Sequence, residues 1–277
     1  MKIRNNLPVT VRKIVAPGLI AVQISRDGIV EHYITAGSAK AGNYKSTLKQ
    51  LSVYLKETGT QVLSHFVFGG PETSGNFIAG IQSGAGSRKW PVTFVCGNNP
   101  KEEILSGTQL YGVAGASVTP VCLDGRVSGW CYEDKDMRYC LLNDICPGDR
   151  GLSRVEQARD TFENMERALI AADLDFSHVV RTWLYLDDMC AWYGAFNQAR
   201  DLFFRERKVF ENIIPASTGI GVRSASGPAL VASVFAVKLK GNGAYIRPVV
   251  SPLQGSATDY KSSFSRAIEI NFPDQRR

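Results

Sequence analysis

Residues Val179 to Leu186 read Val-Val-Arg-Thr-Trp-Leu-Tyr-Leu. As a strand, this run puts Val180, Thr182, Leu184 and Leu186 on one face and Arg181, Trp183 and Tyr185 on the other. The first face suits packing under helices. The second joins a guanidinium to two aromatic rings, which suits a lined anion pocket or a subunit interface. A second run, Ile214-Pro215-Ala216-Ser217-Thr218-Gly219-Ile220-Gly221-Val222-Arg223, enters a strand through a proline. It is rich in small and hydroxyl residues and carries an arginine near its end. Such a segment lets a ligand approach the backbone, and it suits tight strand packing equally well.

Other constellations carry less. Gly84-Ala85-Gly86-Ser87-Arg88-Lys89 lacks the Gly-Lys-Ser/Thr ending of a phosphate loop and reads as a glycine-rich turn. His32, His65 and His178 sit in or beside strand-like runs and share no ligand spacing. The six cysteines, Cys96, Cys122, Cys131, Cys140, Cys146 and Cys190, form no CxxC pair and match no zinc spacing. No metal is expected. Gly-x-Ser-x-Gly is absent, so a nucleophile-elbow hydrolase has no support. Asp187-Asp188, between a strand and a helix, reads as a cap. The first eight residues, Met1 to Pro8, hold no apolar stretch of signal-peptide length, which predicts reduced thiols and a cytoplasmic protein. Apolar runs such as Val234 to Val237 fall far short of the ~18 residues needed to cross a bilayer.

The elements that must position these residues follow from periodicity. From Lys45 to Thr58, Leu48, Leu51 and Leu55 recur at helical spacing, and Gly59 suits the helix end. A second helix opens with Ser153 and Glu156 as a capping box and carries Val155, Phe162, Met165 and Leu169 on one side. A third begins near Asp188 and lines up Trp192, Phe196, Ala199 and Phe203. Strand-like runs flank Asp27-Gly28 and Asp124-Gly125, both hairpin signals. Ser217 to Arg223 and Leu230 to Lys238 flank Ser226-Gly227-Pro228 in the same way.

The order strand, strand, helix, strand appears from Leu19 to Phe68 and again from Leu110 to Leu186. A spacing of roughly 100 residues points to two copies of one α+β domain, since solenoid repeats run to ~20–50 residues. Residues 1–106 read as the first module and 107–240 as the second. Gly241-Asn242-Gly243 reads as a linker, and Ala267 to Phe272 as a strand opening a third, unfinished copy within 241–277.

Composition agrees with a folded chain. The 277 residues are 44% hydrophobic and 21% charged, which excludes disordered, collagenous and coiled-coil classes. A net charge of +6 suits small anions but is too diffuse for nucleic acid.

Ser153 to Phe204, with Pro215-Ala216-Ser217-Thr218 and Ala229 to Val237, resembles the RidA/YjgF superfamily. The shared features are the long amphipathic helix, the Ala171-Ala172-Asp173-Leu174-Asp175 turn, the Val179 to Leu186 strand followed by Asp187-Asp188-Met189, Phe196-Asn197, and the Pro-Ala strand. The resemblance spans Leu110 to Lys238. It implies tandem chorismate-mutase-like α+β modules with helices packed on one face of a mixed β-sheet. It also implies trimers, or internal repeats imitating them, with ligand sites in clefts between copies.

Deaminase members of that superfamily hold a substrate carboxylate with an Arg directly after Pro-Ala and position water with a Glu in the last strand. This chain has Ser217 at the first place, and no acid in Ala229-Leu230-Val231-Ala232-Ser233-Val234. Arg181-Thr182-Trp183-Leu184-Tyr185-Leu186-Asp187-Asp188, Trp192-Tyr193-x-x-Phe196-Asn197 and Pro215 to Gly221 look like the chorismatase branch, as does Ser263-Phe264-Ser265-Arg266-Ala267. That resemblance implies hydrolysis of the enolpyruvyl ether of chorismate or a related small carboxylate, without metal or organic cofactor. Arg181 and Arg223 are then the expected carboxylate partners, Trp183 and Tyr193 the walls, and Ser217 and Thr218 hydrogen-bond donors. The chorismatase catalytic acid, a Glu in the C-terminal domain, has no identified counterpart here. A Rid-type enamine or imine deaminase and a non-catalytic small-ligand-binding relative are the alternatives.

Overall fold

The computed structural model describes residues 9–37, 44–84, 90–96, 105–222, 227–255, 257 and 262–272. Its first unit comprises β1 (Thr10–Ala16), β2 (Leu19–Arg26), β3 (Ile29–Ala36), α1 (Tyr44–Thr58), β4 (Gln61–Gly69), α2 (Pro71–Gly84), β5 (Thr93–Val95) and β6 (Leu105–Ala114). The second comprises β7 (Val118–Leu123), β8 (Arg126–Glu133), β9 (Met137–Ile145), α3 (Arg154–Ala171), β10 (Val179–Leu186), α4 (Met189–Glu206), β11 (Ala216–Gly221) and β12 (Leu230–Leu239). β13 (Tyr245–Pro248) and β14 (Ile268–Asn271) come next and pair with each other.

The two six-stranded sheets have orders β1-β2-β3-β6-β4-β5 and β7-β8-β9-β12-β10-β11. These are the same order, with the helices at the same places along the chain. The repeat is therefore real and longer than expected: three strands, helix, strand, helix, two strands. Each sheet is mixed, because β5 runs parallel to β4 and β11 parallel to β10 while the other neighbours are antiparallel. The expected division at 106/107 cuts through β6, which pairs with β3 and β4 and closes the first sheet at Ala114. Nor do β11 and β12 form a hairpin: β10 lies between them, because the α4 crossover returns β11 parallel to β10. Ser226 of that expected turn lies outside the described residues, as do residues 85–89 of the glycine-rich run.

Local chemistry explains the elements. In both Asp-Gly turns the two central residues have positive φ (52° and 84° at Asp27 and Gly28, 51° and 74° at Asp124 and Gly125), as a two-residue hairpin of this hand requires. Ser153 caps α3: its Oγ accepts from the Glu156 N–H at 3.3 Å, and Glu156 accepts from the Ser153 N–H at 2.9 Å. The stripe of α3 is Ala158, Phe162, Met165 and Leu169, whereas Val155 is exposed. Asp188 stands at the N-cap of α4 but does not cap it, and its side chain turns to Arg154 at 3.2 Å.

The helix α2 was not legible in its glycine-rich sequence. Phe77 and Ile81, one turn apart, are fully buried and hold it in place. A Cβ at Gly80 would stand 2.6 Å from Leu48 of α1, so the bare backbone lets the two helices meet.

One core lies between the second sheet and α3 and α4, where Phe162 and Phe176 pack on Phe203 with ring centres 5.4 and 5.0 Å apart. The other runs from α1 and α2 through the first sheet to Trp130, Tyr132, Tyr139, Leu141 and Val237 of the second. Each sheet thus has helices on one face and the other sheet on the opposite face.

A buried ion cluster fastens this arrangement. Arg26, at the end of β2, donates to Asp134 at 3.0 Å and to Asp136 in the β8–β9 turn. Its side chain is 4% exposed, and the guanidinium lies 4.4 Å from the ring centre of Phe272, just after β14. Asp134 is fully used: Oδ1 accepts from the N–H groups of Asp136 (2.8 Å) and Met137 (2.7 Å), and Oδ2 also accepts from the Tyr139 hydroxyl (2.7 Å). Arg26→Ala strands these carboxylates and should cost about 3–5 kcal/mol. Urea unfolding of the variant checks this, and a loss below about 1 kcal/mol would show that water screens the cluster like a surface pair.

Candidate functional site between the two sheets

Three bulges position the polar groups of the seam. In β4 the pairing with β6 skips Leu63, and in β10 the pairing with β12 skips Val180. Val180 therefore leaves the helix-facing side expected for it and joins the core between the sheets, while Val179 packs under the helices. The two strands are equivalent in register: Ser64, Phe66 and Phe68 stand where Arg181, Trp183 and Tyr185 stand. The third bulge sets Asn143 and Asp144 of β9 opposite Ser233 of β12.

Both bulged residues reach the first module. Asn143 donates to the Leu63 carbonyl at 3.1 Å and accepts from the Ser64 hydroxyl at 2.7 Å. The Asp144 N–H donates to Thr93 Oγ1 at 3.1 Å, which is also 3.0 Å from the Ser233 hydroxyl. Phe66 packs on Trp183 and Tyr185, with ring centres 6.2 and 6.1 Å away.

A cavity of about 420 Å³ lies in this seam. Tyr33, Phe66, Tyr111, Trp183 and Phe235 give it aromatic walls; Thr35, Ser64, Gln109 and Asn143 give it polar points. The hydroxyls of Tyr33 and Tyr111 both donate to Glu31 Oε2 at 3.0 Å. Burial, together with the neighbouring Tyr132 and Glu31, holds the Tyr111 hydroxyl well above its ordinary pKa. Both phenols of this wall are thus anchored through Glu31.

Arg181 stands beside this wall. Its Nη2 donates to Thr218 Oγ1 on the neighbouring strand, and its Cζ lies 5.2 Å from the centre of the Trp183 ring. Among the described residues no carboxylate lies within ion-pair distance of it. Burial lowers the guanidinium pKa from its ordinary value, yet arginine remains charged. A half-buried cation held by a hydroxyl and a ring, with no described carboxylate in ion-pair reach, has the chemistry to pair with a carboxylate.

The structure brings together only part of the expected set. Arg181, Trp183 and Thr218 share the face toward the first sheet. Ser217 is on the opposite face, where its hydroxyl accepts from Thr182 at 2.8 Å. Tyr193 is on that side too, packed along α4 on Phe196 with ring centres 6.2 Å apart. Alternation along β11 and the intervening sheet separate these two from Trp183. Arg223 lies outside the described residues.

The histidines are structural in their surroundings. His65 is fully buried; Trp90 donates to its Nδ1 at 3.1 Å, so Nε2 carries the proton and donates to Thr108 Oγ1 at 2.7 Å. Burial pushes its pKa down to about 3. Among the described residues no cluster of three or more His, Cys, Asp or Glu is placed to hold a metal. All six cysteines are unbridged.

Sequence reasoning missed Asn143 and Asp144 because it missed β9, although Met137, Tyr139 and Leu141 alternate there. Asp144 sits at φ 55° in the bulge, and burial raises its carboxyl to about 6 against the pull of Arg126 and Arg150. A folded pKa above the unfolded 3.8 means that its stabilising contribution is whole below about 3.8 and is lost as pH rises through about 6. Asparagine tolerates the same left-handed backbone. Asp144→Asn should therefore gain stability relative to the parent as pH rises through that window, and paired melting curves across pH check it. A constant difference between the two proteins would contradict this reading of Asp144. The opposite drift from His65, lost as pH falls below its unfolded value, is common to both and cancels.

Residues 150–232, from the approach to α3 into β12, match the family model for endoribonuclease L-PSP. No curated protein sequence matches the chain. Among solved structures, the chain is similar to E. coli TdcF with bound serine, at 19% identity over 43% of this chain and 93% of that one, with a TM-score of 0.35. The YjgF gene product of E. coli gives 20% identity, 43% and 93% coverage, and 0.35. Yeast Mmf1 gives 19% identity, 44% and 99% coverage, and 0.35. The likeness to the endoribonuclease L-PSP family thus rests on residues 150–232 of the second module.

Proposed function

We propose that the seam between the modules binds a small cyclic carboxylate, with the carboxylate on Arg181 and Thr218 and the ring against Trp183 and the aromatic wall of the cavity. The observation that carries this reading is the Arg181 guanidinium, which is oriented by neutral groups and unmatched by any described carboxylate. A bidentate pair with a ligand would supply the missing charge.

The finer reading, from the resemblance to the chorismatase branch, is hydrolysis of an enolpyruvyl ether. A general acid protonates the terminal vinyl carbon, water adds to the resulting oxocarbenium carbon, and the hemiketal collapses to pyruvate and the ring alcohol. No carboxyl side chain is among the described residues lining the cavity, which favours simple ligand binding as the second reading. A third sheet is proposed to complete the assembly, as a trimer or pseudo-trimer.

The test mixes the chain with chorismate, following binding by calorimetry and pyruvate by a coupled dehydrogenase assay. Binding with pyruvate release supports the hydrolase, and binding without release supports the ligand-binding reading. Arg181→Ala should weaken binding, or raise KM, by at least about tenfold, since a charged hydrogen bond contributes roughly 1.5–3 kcal/mol. Absence of binding, or binding indifferent to Arg181, would sink the proposal.

A further inference from the structure

A second guanidinium is buried more deeply and, among the described residues, likewise has no carboxylate within ion-pair distance. Arg200 on α4 is 3% exposed. Its Nη2 donates to Asn197 Oδ1 at 2.8 Å, its Nε is buried with no hydrogen-bond partner, and its Cζ lies 5.4 Å from the Phe196 ring centre. Among the described residues no carboxylate lies within ion-pair distance. The titratable groups facing it are Tyr193 and Asp201, and Asp201 is occupied by the Ser263 hydroxyl.

Two other elements approach this stretch of α4. Met189, one end of α4, lies against Gly219 and Gly221, so the helix runs over β11. At the other end of β11 the Ser265 N–H donates to the Pro215 carbonyl at 3.0 Å, which lays residues 262–265 along the same strand. The Ser263 bond to Asp201 lays the C-terminal segment against the same stretch of α4 as Arg200, on the helix side of the sheet and away from Arg181.

A buried charge with no counter-ion weakens a fold, and an apolar residue of similar length would serve packing better. A small anion would supply the counter-charge that no described residue gives. We propose that Arg200, with the free amide N–H groups of Asn197 and the hydroxyl of Tyr193, forms a binding site for a small monoanionic carboxylate. One guanidinium flanked by neutral donors balances a single negative charge. The nearby Asp201 disfavours a dianion such as phosphate.

The test reads Arg200 itself. In chain labelled with ¹⁵N-arginine, the Nε–Hε resonance of Arg200 is assigned by its disappearance in Arg200→Lys, and pyruvate is titrated in. A saturable shift of that resonance, diminished in Tyr193→Phe, is expected. Arg200→Met should melt above the parent in the absence of pyruvate, because it removes the unmatched charge. An Arg200 resonance unmoved by pyruvate, including one that stays still while the Arg181 resonance moves, would overturn the site. So would a lower melting temperature for Arg200→Met, which would make the guanidinium a structural group.

Discussion

A sheet that carries helices on one face must still cover its other face, and in this chain each of the two sheets covers the other. Most of the molecule's architecture depends on that constraint. The strands β4 and β10 are buried on both sides, which explains why they read as nearly continuous apolar or aromatic runs. The contact between sheets is fastened at polar points: Arg26 with Asp134 and Asp136 at one place, Asn143 and Asp144 with Leu63, Ser64 and Thr93 at another. These pairs are buried, so each fixes the register of one module on the other as well as contributing energy. Imperfect closure between the aromatic residues of the two faces leaves the cavity.

Charge then separates structural arginines from those available for binding. Arg26 is matched by Asp27, Asp134 and Asp136, Arg159 by Glu163 and Glu206, and Arg207 by Glu166 and Glu206. Arg181 and Arg200 are held instead by a threonine, an asparagine and aromatic rings. The sheet lies between them, so they mark two places on one module where a carboxylate would complete the electrostatics.

Much of this was legible in the residues. The Asp-Gly turns, the capping box at Ser153 and the stripe on α4 fix local structure through short-range chemistry, and their spacing revealed the repeat. The Arg181, Trp183 and Tyr185 face was legible because alternation survives beyond the bulge. What stayed hidden depends on partners far along the chain. The helix α2 is stabilised by burial of Phe77 and Ile81 against weak propensity. The strand order placed β10 between β11 and β12, which no turn signal records. Tyr193 and Ser217 entered the expected site through the family resemblance, which does not say which face of this sheet a side chain takes. Arg200 gave no signal at all, since an arginine in an amphipathic helix ordinarily lies in solvent.

The proposed role of the unmatched Arg181 guanidinium is to receive a carboxylate at the seam of the two sheets. The most direct test is a crystal structure of the chain grown with chorismate. The expected result is the ligand carboxylate paired with Arg181 and hydrogen-bonded to Thr218, with its ring against Trp183. A ligand seated elsewhere, with Arg181 still bonded only to Thr218, would contradict the claim.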